Sequence, residues 1–144
     1  MMKGEIPKTV GDIMTRKLIT IAEGDSLQSV EIGMAKFRFR HLPVVRQGKL
    51  VGLITHRDML HASSSFLSED REKRDALIHK IPAKRIMHTD VVTVRPSMPI
   101  CEAGEIMWTK KIGCLCVTDE ENVLNGIVTE ADFLKLAVGL LKAM

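Results

Sequence analysis

Short aliphatic runs and helix-spaced apolar positions follow one another along this chain in a fixed order. Leu18–Ile21 and Val91–Val94 are runs of strand composition. Behind Ser26, apolar residues then fall three and four apart at Leu27, Val30, Met34 and Phe37. Behind Ser97 the same spacing appears at Ile100, Ala103, Ile106 and Met107, so each stretch predicts a helix. Continuous apolar runs of buried-strand type come next, at Leu42–Val45 and Cys114–Val117. After a polar turn, each is followed by a further strand, Leu50–Ile54 or Leu124–Val128. A second helix is expected just past Thr55 and Thr129, where Thr is a natural N-cap and Asp58 or Asp132 falls in the first turn.

This order is the signature of an internal repeat. Asp12-Ile13-Met14-Thr15 matches Arg85-Ile86-Met87-His88, and Thr20 matches Thr93, at an offset of 73 residues. His41-Leu42-Pro43-Val44-Val45 matches Gly113-Cys114-Leu115-Cys116-Val117 at an offset of 72. Leu50–Leu60 matches Leu124–Leu134 at an offset of 74, with five of eleven pairs identical. The offsets change at Arg46–Lys49 and Thr118–Val123, where a turn absorbs them. The predicted fold class is mixed α/β (α+β), with two β-α-β-β-α repeats over residues 8–61 and 82–137. Residues 62–81 form the connection: the serines Ser63-Ser64-Ser65, a charged run from Ser68 to Asp75, and a helix ending before Pro82. Residues 138–144 are the end of the last helix. One such repeat is too small to bury both helix and sheet faces alone; two packed together suffice.

Composition narrows the function. Only 3% of residues are aromatic, with four Phe, one Trp and no Tyr. That argues against base-stacking nucleic-acid modules, which need aromatic platforms. The net charge of +3 is spread over both halves, so no strong attraction to nucleic acid or to an anionic membrane is implied. No apolar run reaches the length of a membrane span, and the stretch MMKGEIPKTV has no signal-peptide core. Three cysteines in no even framework fit a reducing cytoplasm. Cys114 and Cys116, two apart on a strand, point to one face. They read as buried small hydrophobes, with a redox pair as the alternative. No P-loop, Gly-x-Gly-x-x-Gly, nucleophile elbow or metal-ligand spacing is present. An enzyme is therefore not expected, nor a catalytic cofactor or metal.

The ordered set of motifs, present twice, resembles the cystathionine beta-synthase (CBS) domain in its tandem form. The residues that carry the resemblance are Asp12–Thr15, Thr20-Ile21, His41–Val45 and Gly52–Asp58, then Ile86-Met87, Val92–Val94 and Gly126–Asp132. It covers roughly residues 8 to 137. The resemblance implies a regulatory module, its two repeats packed with pseudo-twofold symmetry around two clefts. Those clefts would take AMP, ADP, ATP or S-adenosylmethionine. It further implies a flat homodimer, with Asp132–Leu141 at the interface, and a regulated protein partner. The alternative is a dimeric interaction or scaffold module whose clefts are vestigial.

The Gly-x-x-Thr-x-x-Asp stretches are the candidate binding residues. Gly52 and Gly126 permit close approach of a ligand or another backbone. Thr55 and Thr129 sit at helix N-termini, where unpaired N–H groups and the dipole favour phosphate. Asp58 and Asp132 could accept two hydrogen bonds from a ribose diol. The same residues would also serve as plain helix caps. By the resemblance, Thr129 and Asp132 share a cleft with Lys17, Ile19, Thr20, Phe39, Arg40 and His41. Thr55 and Asp58 share the other with Val92, Thr93 and Gly113. The basic side chains near the first of these favour it as the occupied cleft, although His56 and Arg57 could assist phosphate in the second.

Overall fold

The computed structural model describes residues 4–64 and 70–144. Ser65, Phe66, Leu67, Ser68 and Glu69 of the expected connection, and the first three residues of the N-terminal stretch, lie outside them. The chain forms two compact units. One is the continuous stretch Ile19–Val91; the other joins the segment ending at Leu18 to Val92–Met144.

In the unit Ile19–Val91, β1 (Ile21–Ala22) runs parallel to β2 (His41–Arg46), which pairs antiparallel with β3 (Lys49–Thr55). Between β1 and β2 lies α2 (Leu27–Phe37), capped by Ser26, whose side chain accepts from the Ser29 N–H at 3.2 Å. The β2–β3 turn places Gln47 and Gly48 at φ 52° and 80°, the left-handed pair a tight hairpin requires. α3 (His56–Ser64) follows β3 directly, and α4 (Arg71–Lys80) fills the connection, capped by Asp70. Leu27, Val30, Leu42, Val44 and Ile54 are fully buried at the centre of the core.

The other unit has the same order: β4 (Thr93–Val94), α5 (Ile100–Lys110), β5 (Cys114–Thr118), β6 (Leu124–Thr129) and α6 (Glu130–Ala143), with strand order β4-β5-β6. Val10, Ala103, Leu115, Val117 and Val128 form its core. The β-α-β-β-α order read from the hydrophobic pattern therefore holds in both copies. Its first strands are shorter than the aliphatic runs that announce them. The residues lost are at the start of each run, Leu18–Thr20 and Val91–Val92, while β1 ends at Ala22, whose N–H donates to Asp25 Oδ2 at 2.8 Å.

The motif that opens each repeat lies outside that order. Val10–Ile13 forms a short helix, α1, and Ala83–Arg85 a single 3-10 turn. Each docks on a sheet unit through three backbone hydrogen bonds. In one unit Leu27 N–H donates to Ile81 O (2.9 Å), Ala83 N–H to Asp25 O (2.6 Å) and Lys84 N–H to Glu23 O (3.0 Å). In the other, Ile100 N–H donates to Lys8 O (3.1 Å), Val10 N–H to Met98 O (2.8 Å) and Gly11 N–H to Pro96 O (2.8 Å). Every donor and every acceptor is displaced by 73 residues. The two motifs are exchanged: Ile13-Met14 packs in the unit containing β4–β6, and Ile86-Met87 in the unit containing β1–β3.

Candidate functional site

Each Gly-x-x-Thr-x-x-Asp stretch runs off the end of a strand into a helix. In the unit Ile19–Val91, the Thr55 N–H and hydroxyl both donate to Asp58 Oδ2 at 2.8 Å. The Asp58 N–H returns to Thr55 Oγ1 at 3.2 Å. In the other unit the Thr129 N–H donates to Asp132 Oδ2 at 2.9 Å, and its hydroxyl reaches the same oxygen at 3.5 Å. One oxygen of each carboxylate thus closes a reciprocal cap, the arrangement that satisfies orphan donors at a helix start.

The second oxygen of each carboxylate points to the residue after the repeated Ile-Met. Thr15 Oγ1 donates to Asp132 Oδ1 at 3.2 Å. His88 Nε2 lies 2.7 Å from Asp58 Oδ1, with side-chain exposures of 60% for His88 and 17% for Asp58. The two sites are therefore alike in backbone and different in chemistry: a neutral hydroxyl faces Asp132, and an imidazole faces Asp58.

Backbone pairing explains why these residues meet. Leu53 exchanges both N–H···O bonds with His88, each at 2.9 Å, and Thr15 does the same with Ile127 at 2.8 and 3.0 Å. Gly52 and Gly126 sit one position earlier on each strand and are what make room. A Cβ on Gly52 would stand 2.6 Å from Met87 Sδ, and one on Gly126 would stand 2.8 Å from Met14 Sδ. Close approach of another backbone, one of the roles expected of these glycines, is present here.

Beside Asp58, within its own unit, lies a cavity of about 480 Å³. Arg57, His61 and Arg85 line it together with Asp58, over an apolar floor of Ala62, Ile81 and Ile86. In the repeat alignment the corresponding positions of the other copy hold Ala131, Lys135 and Asp12. Asp12 is already committed to α1, accepting from the Lys8 and Thr9 N–H groups at 2.9 and 3.0 Å. Those two backbone bonds hold its carboxyl below the usual carboxylate value. Arg57 and Arg85 are thus basic residues beside Asp58 whose counterparts in the other copy are not basic.

The other expected residues fall as follows. His41 pairs across the sheet with Thr55, and Arg40 O accepts from the His56 N–H at 2.8 Å, so both stand at the Thr55–Asp58 helix start. Gly113 O accepts from the Glu130 N–H at 3.3 Å, which places it at the Thr129–Asp132 helix start. Thr93 opens β4 opposite Cys116, and Val92 O accepts from the Cys116 N–H at 3.4 Å. Lys17 follows Thr15 by two positions in the same unit, while Ile19, Thr20 and Phe39 belong to the unit of Asp58. Thr15, His88 and Arg85 were missed as site residues. The signal was the repeat itself: Thr15 and His88 each follow an Ile-Met pair, but their differing chemistry hides the shared role.

Among the described residues, no group of three or more His, Cys, Asp or Glu side chains could hold a metal ion. No described helix is long and apolar enough to cross a membrane.

Comparison with known proteins adds to this geometry. The family model for the CBS domain matches twice, over residues 10–65 and 83–139. An uncharacterized protein of Methanocaldococcus jannaschii, MJ1225, is 35% identical over 130 residues, covering 89% of this chain and 46% of that protein. The chain thus spans less than half of this curated relative. The crystal structure of a putative acetoin utilization protein (AcuB) from Vibrio cholerae superposes with a TM-score of 0.80 at 35% identity, covering 93% of each chain. The CBS domain pair of protein MJ0100, solved with 5′-methylthioadenosine and S-adenosyl-L-methionine, superposes with a TM-score of 0.74 at 28% identity, covering 91% of this chain and 96% of that one.

Proposed function

Since this chain belongs to the CBS domain family, we propose that it is a regulatory module sensing an adenosine-bearing ligand, AMP, ADP, ATP or S-adenosylmethionine, with Asp58 and Asp132 as ribose acceptors. The observation that carries this reading is the division of labour in each carboxylate. Oδ2 is spent on the helix cap, whereas Oδ1 meets an exchangeable side-chain donor, Thr15 or His88. A ribose diol offers the same kind of donor at the same place. The ligands of the MJ0100 domain pair, a nucleoside and a nucleoside-bearing sulfonium, belong to this chemical class.

Thr55 and Thr129 would present helix N-termini to a phosphate. Arg57, Arg85 and His61 supply positive charge around Asp58, and Lys17, Arg40 and His41 are further candidates for phosphate. Ile19, Thr20, Phe39, Val92, Thr93 and Gly113 are the candidates for enclosing the base. Binding would bias the conformers the module populates, and a protein partner would read that bias. The exposed apolar residues of α6, Leu134, Val138, Leu140 and Leu141, suit a homodimer interface, which sedimentation of the purified protein tests.

Calorimetric titration with AMP, ATP and S-adenosylmethionine tests the sensor. At least one should bind, and that ligand should raise the melting temperature by mass action. A folded protein that binds none of the three and melts unchanged in their presence is instead an interaction module whose carboxylates serve only as caps.

A further inference from the structure

We infer that the cavity beside Asp58 is a binding site for a phosphoryl group, gripped by Arg57 and Arg85. It lies within one unit and is built by two segments. α3 contributes Arg57, His61 and Ala62, and the stretch leading to Ile86 contributes Ile81 and Arg85. Its wall carries two arginines against one aspartate. Among the described residues no carboxylate pairs with either guanidinium. Asp58 is turned to other donors, Oδ2 to Thr55 and Oδ1 to His88. Two like charges are thus held at one cavity, an arrangement that an anion between them stabilises.

The donors select the anion. A guanidinium bonds an anion through two parallel N–H groups. A carboxylate presents its oxygens in one plane and matches one such fork. A phosphoryl group presents its oxygens tetrahedrally and can face two guanidiniums from different sides. The cavity, at about 480 Å³, is of a size that takes an organic ligand. Its floor of Ala62, Ile81 and Ile86 suits the apolar part of a phosphate ester. The repeat supplies an internal comparison. Where this copy has Arg57, Arg85 and the small Ala62, the other has Ala131, Asp12 and the bulkier Leu136. The phosphoryl group has two possible sources. As part of a nucleotide it rests on the reading of Asp58 as a ribose acceptor; as free phosphate it needs the arginines alone.

The experiment is calorimetric titration of the full chain with AMP, with adenosine and with inorganic phosphate, near pH 8. It is repeated on the double variant Arg57→Ala, Arg85→Gln and on Arg57→Lys, Arg85→Lys, which keeps both charges and removes both forks. Both arginines are exposed, so the variants should fold, and their melting temperatures check it. AMP should bind more tightly than adenosine. The first variant should lower the ratio of the two affinities about tenfold or more, the range for hydrogen bonds to a charged group. The lysine variant should recover part of that ratio. Inorganic phosphate that binds the unsubstituted protein and not the first variant, with AMP no tighter than adenosine, upholds the site and identifies free phosphate as its ligand. An unchanged ratio together with unchanged phosphate binding overturns the inference. Equal weakening of AMP and adenosine, with phosphate unaffected, also overturns it and leaves the arginines a structural role. The sensor reading fails separately. A protein that binds phosphate through the arginines, yet none of AMP, adenosine and S-adenosylmethionine, keeps this site and loses its ribose acceptors; one that binds nothing loses both.

Discussion

Met87 lies over Gly52 so closely that a Cβ there would come within 2.6 Å of Met87 Sδ, 2.9 Å of its Cγ and 3.0 Å of His88 O. Gly126 stands in the same relation to Met14 and to Thr15 O, at 2.8 and 2.9 Å. The glycine that heads each Thr-x-x-Asp stretch is thus a packing requirement for the Ile-Met motif of the opposite repeat. Through that packing it sets where Thr15 and His88 meet the carboxylates.

Substituting alanine at Gly52 or Gly126 should destabilise the fold by about 1–3 kcal/mol, the usual cost of overpacking. For a chain of this size each kcal/mol lowers the melting temperature by roughly 2–4 °C. Adding Met87→Ala to Gly52→Ala should restore only part of the loss, because the contact with His88 O is backbone. Thermal melts of the three variants check both statements.

Asp132→Ala should separate the two roles of its carboxylate. Loss of the cap costs about 1 kcal/mol in stability. Loss of a charged acceptor for ribose should weaken adenosine ligands tenfold or more, from about 1.5–3 kcal/mol for hydrogen bonds to a charged group. A 2′-deoxy ligand supplies the control: removing its hydroxyl should matter to the unsubstituted protein and much less to the variant. Asp58→Ala should behave alike at its own site. Equal losses for ribose and deoxyribose ligands in the variant would reduce the carboxylate to a cap.

Arg95 Nη1 donates to Thr118 Oγ1 at 3.0 Å and to Thr118 O at 3.1 Å, and it also reaches Asp119 O. Thr118 is fully buried, the one buried polar residue among those described. Arg95→Ala should therefore cost about 1–3 kcal/mol by leaving buried acceptors without a partner. The double variant Arg95→Ala, Thr118→Val should cost less than Arg95→Ala alone. Urea denaturation of the pair decides it.

Burial pushes the Cys114 and Cys116 thiols up to about 12, and in Cys116 the neighbouring Cys114 adds to the effect. Unfolded thiols ionise near 9. The folded state keeps both protons where the unfolded state loses them, so stability is complete below about pH 9. It then falls as pH climbs toward 12, by up to roughly 1.4 kcal/mol per pH unit for each thiol. Urea midpoints near pH 8 and near pH 10 should differ. Replacing both cysteines by alanine should shrink the difference. Exposed Cys101 should react at once with a thiol reagent, and the other two only on unfolding.

The hydrophobic pattern made much of this molecule legible. Leu27, Val30 and Met34 are buried on one face of α2, and Ile100, Ala103 and Met107 on one face of α5, as their spacing requires. The caps at Thr55 and Thr129 were equally readable, because Thr followed at three residues by Asp is a local signal. The exchange of the Ile-Met motifs was not. A repeat shows that two segments are equivalent and leaves open which copy each packs upon. His88 and Thr15 were hidden for a related reason: Leu53 and Ile127 bring them in by strand-like backbone pairing, which any side chain can make. The basic cavity at Asp58 needed Arg85 and Arg57 to converge from segments distant in sequence.

The exchanged motifs also bear on the order in which the protein can be made. Ile19–Val91 is one uninterrupted stretch, so its sheet, helices and docking turn are all available once Val91 has left the ribosome. The segment ending at Leu18 emerges earlier still, yet β4–β6, which share its unit, are synthesised after the whole of the Ile19–Val91 unit. Val10 and Met14, at 0% and 8% exposure in the finished fold, therefore travel uncovered through most of translation. Nascent chains of this protein carry an apolar handle that chaperones can hold until α6 completes the second half.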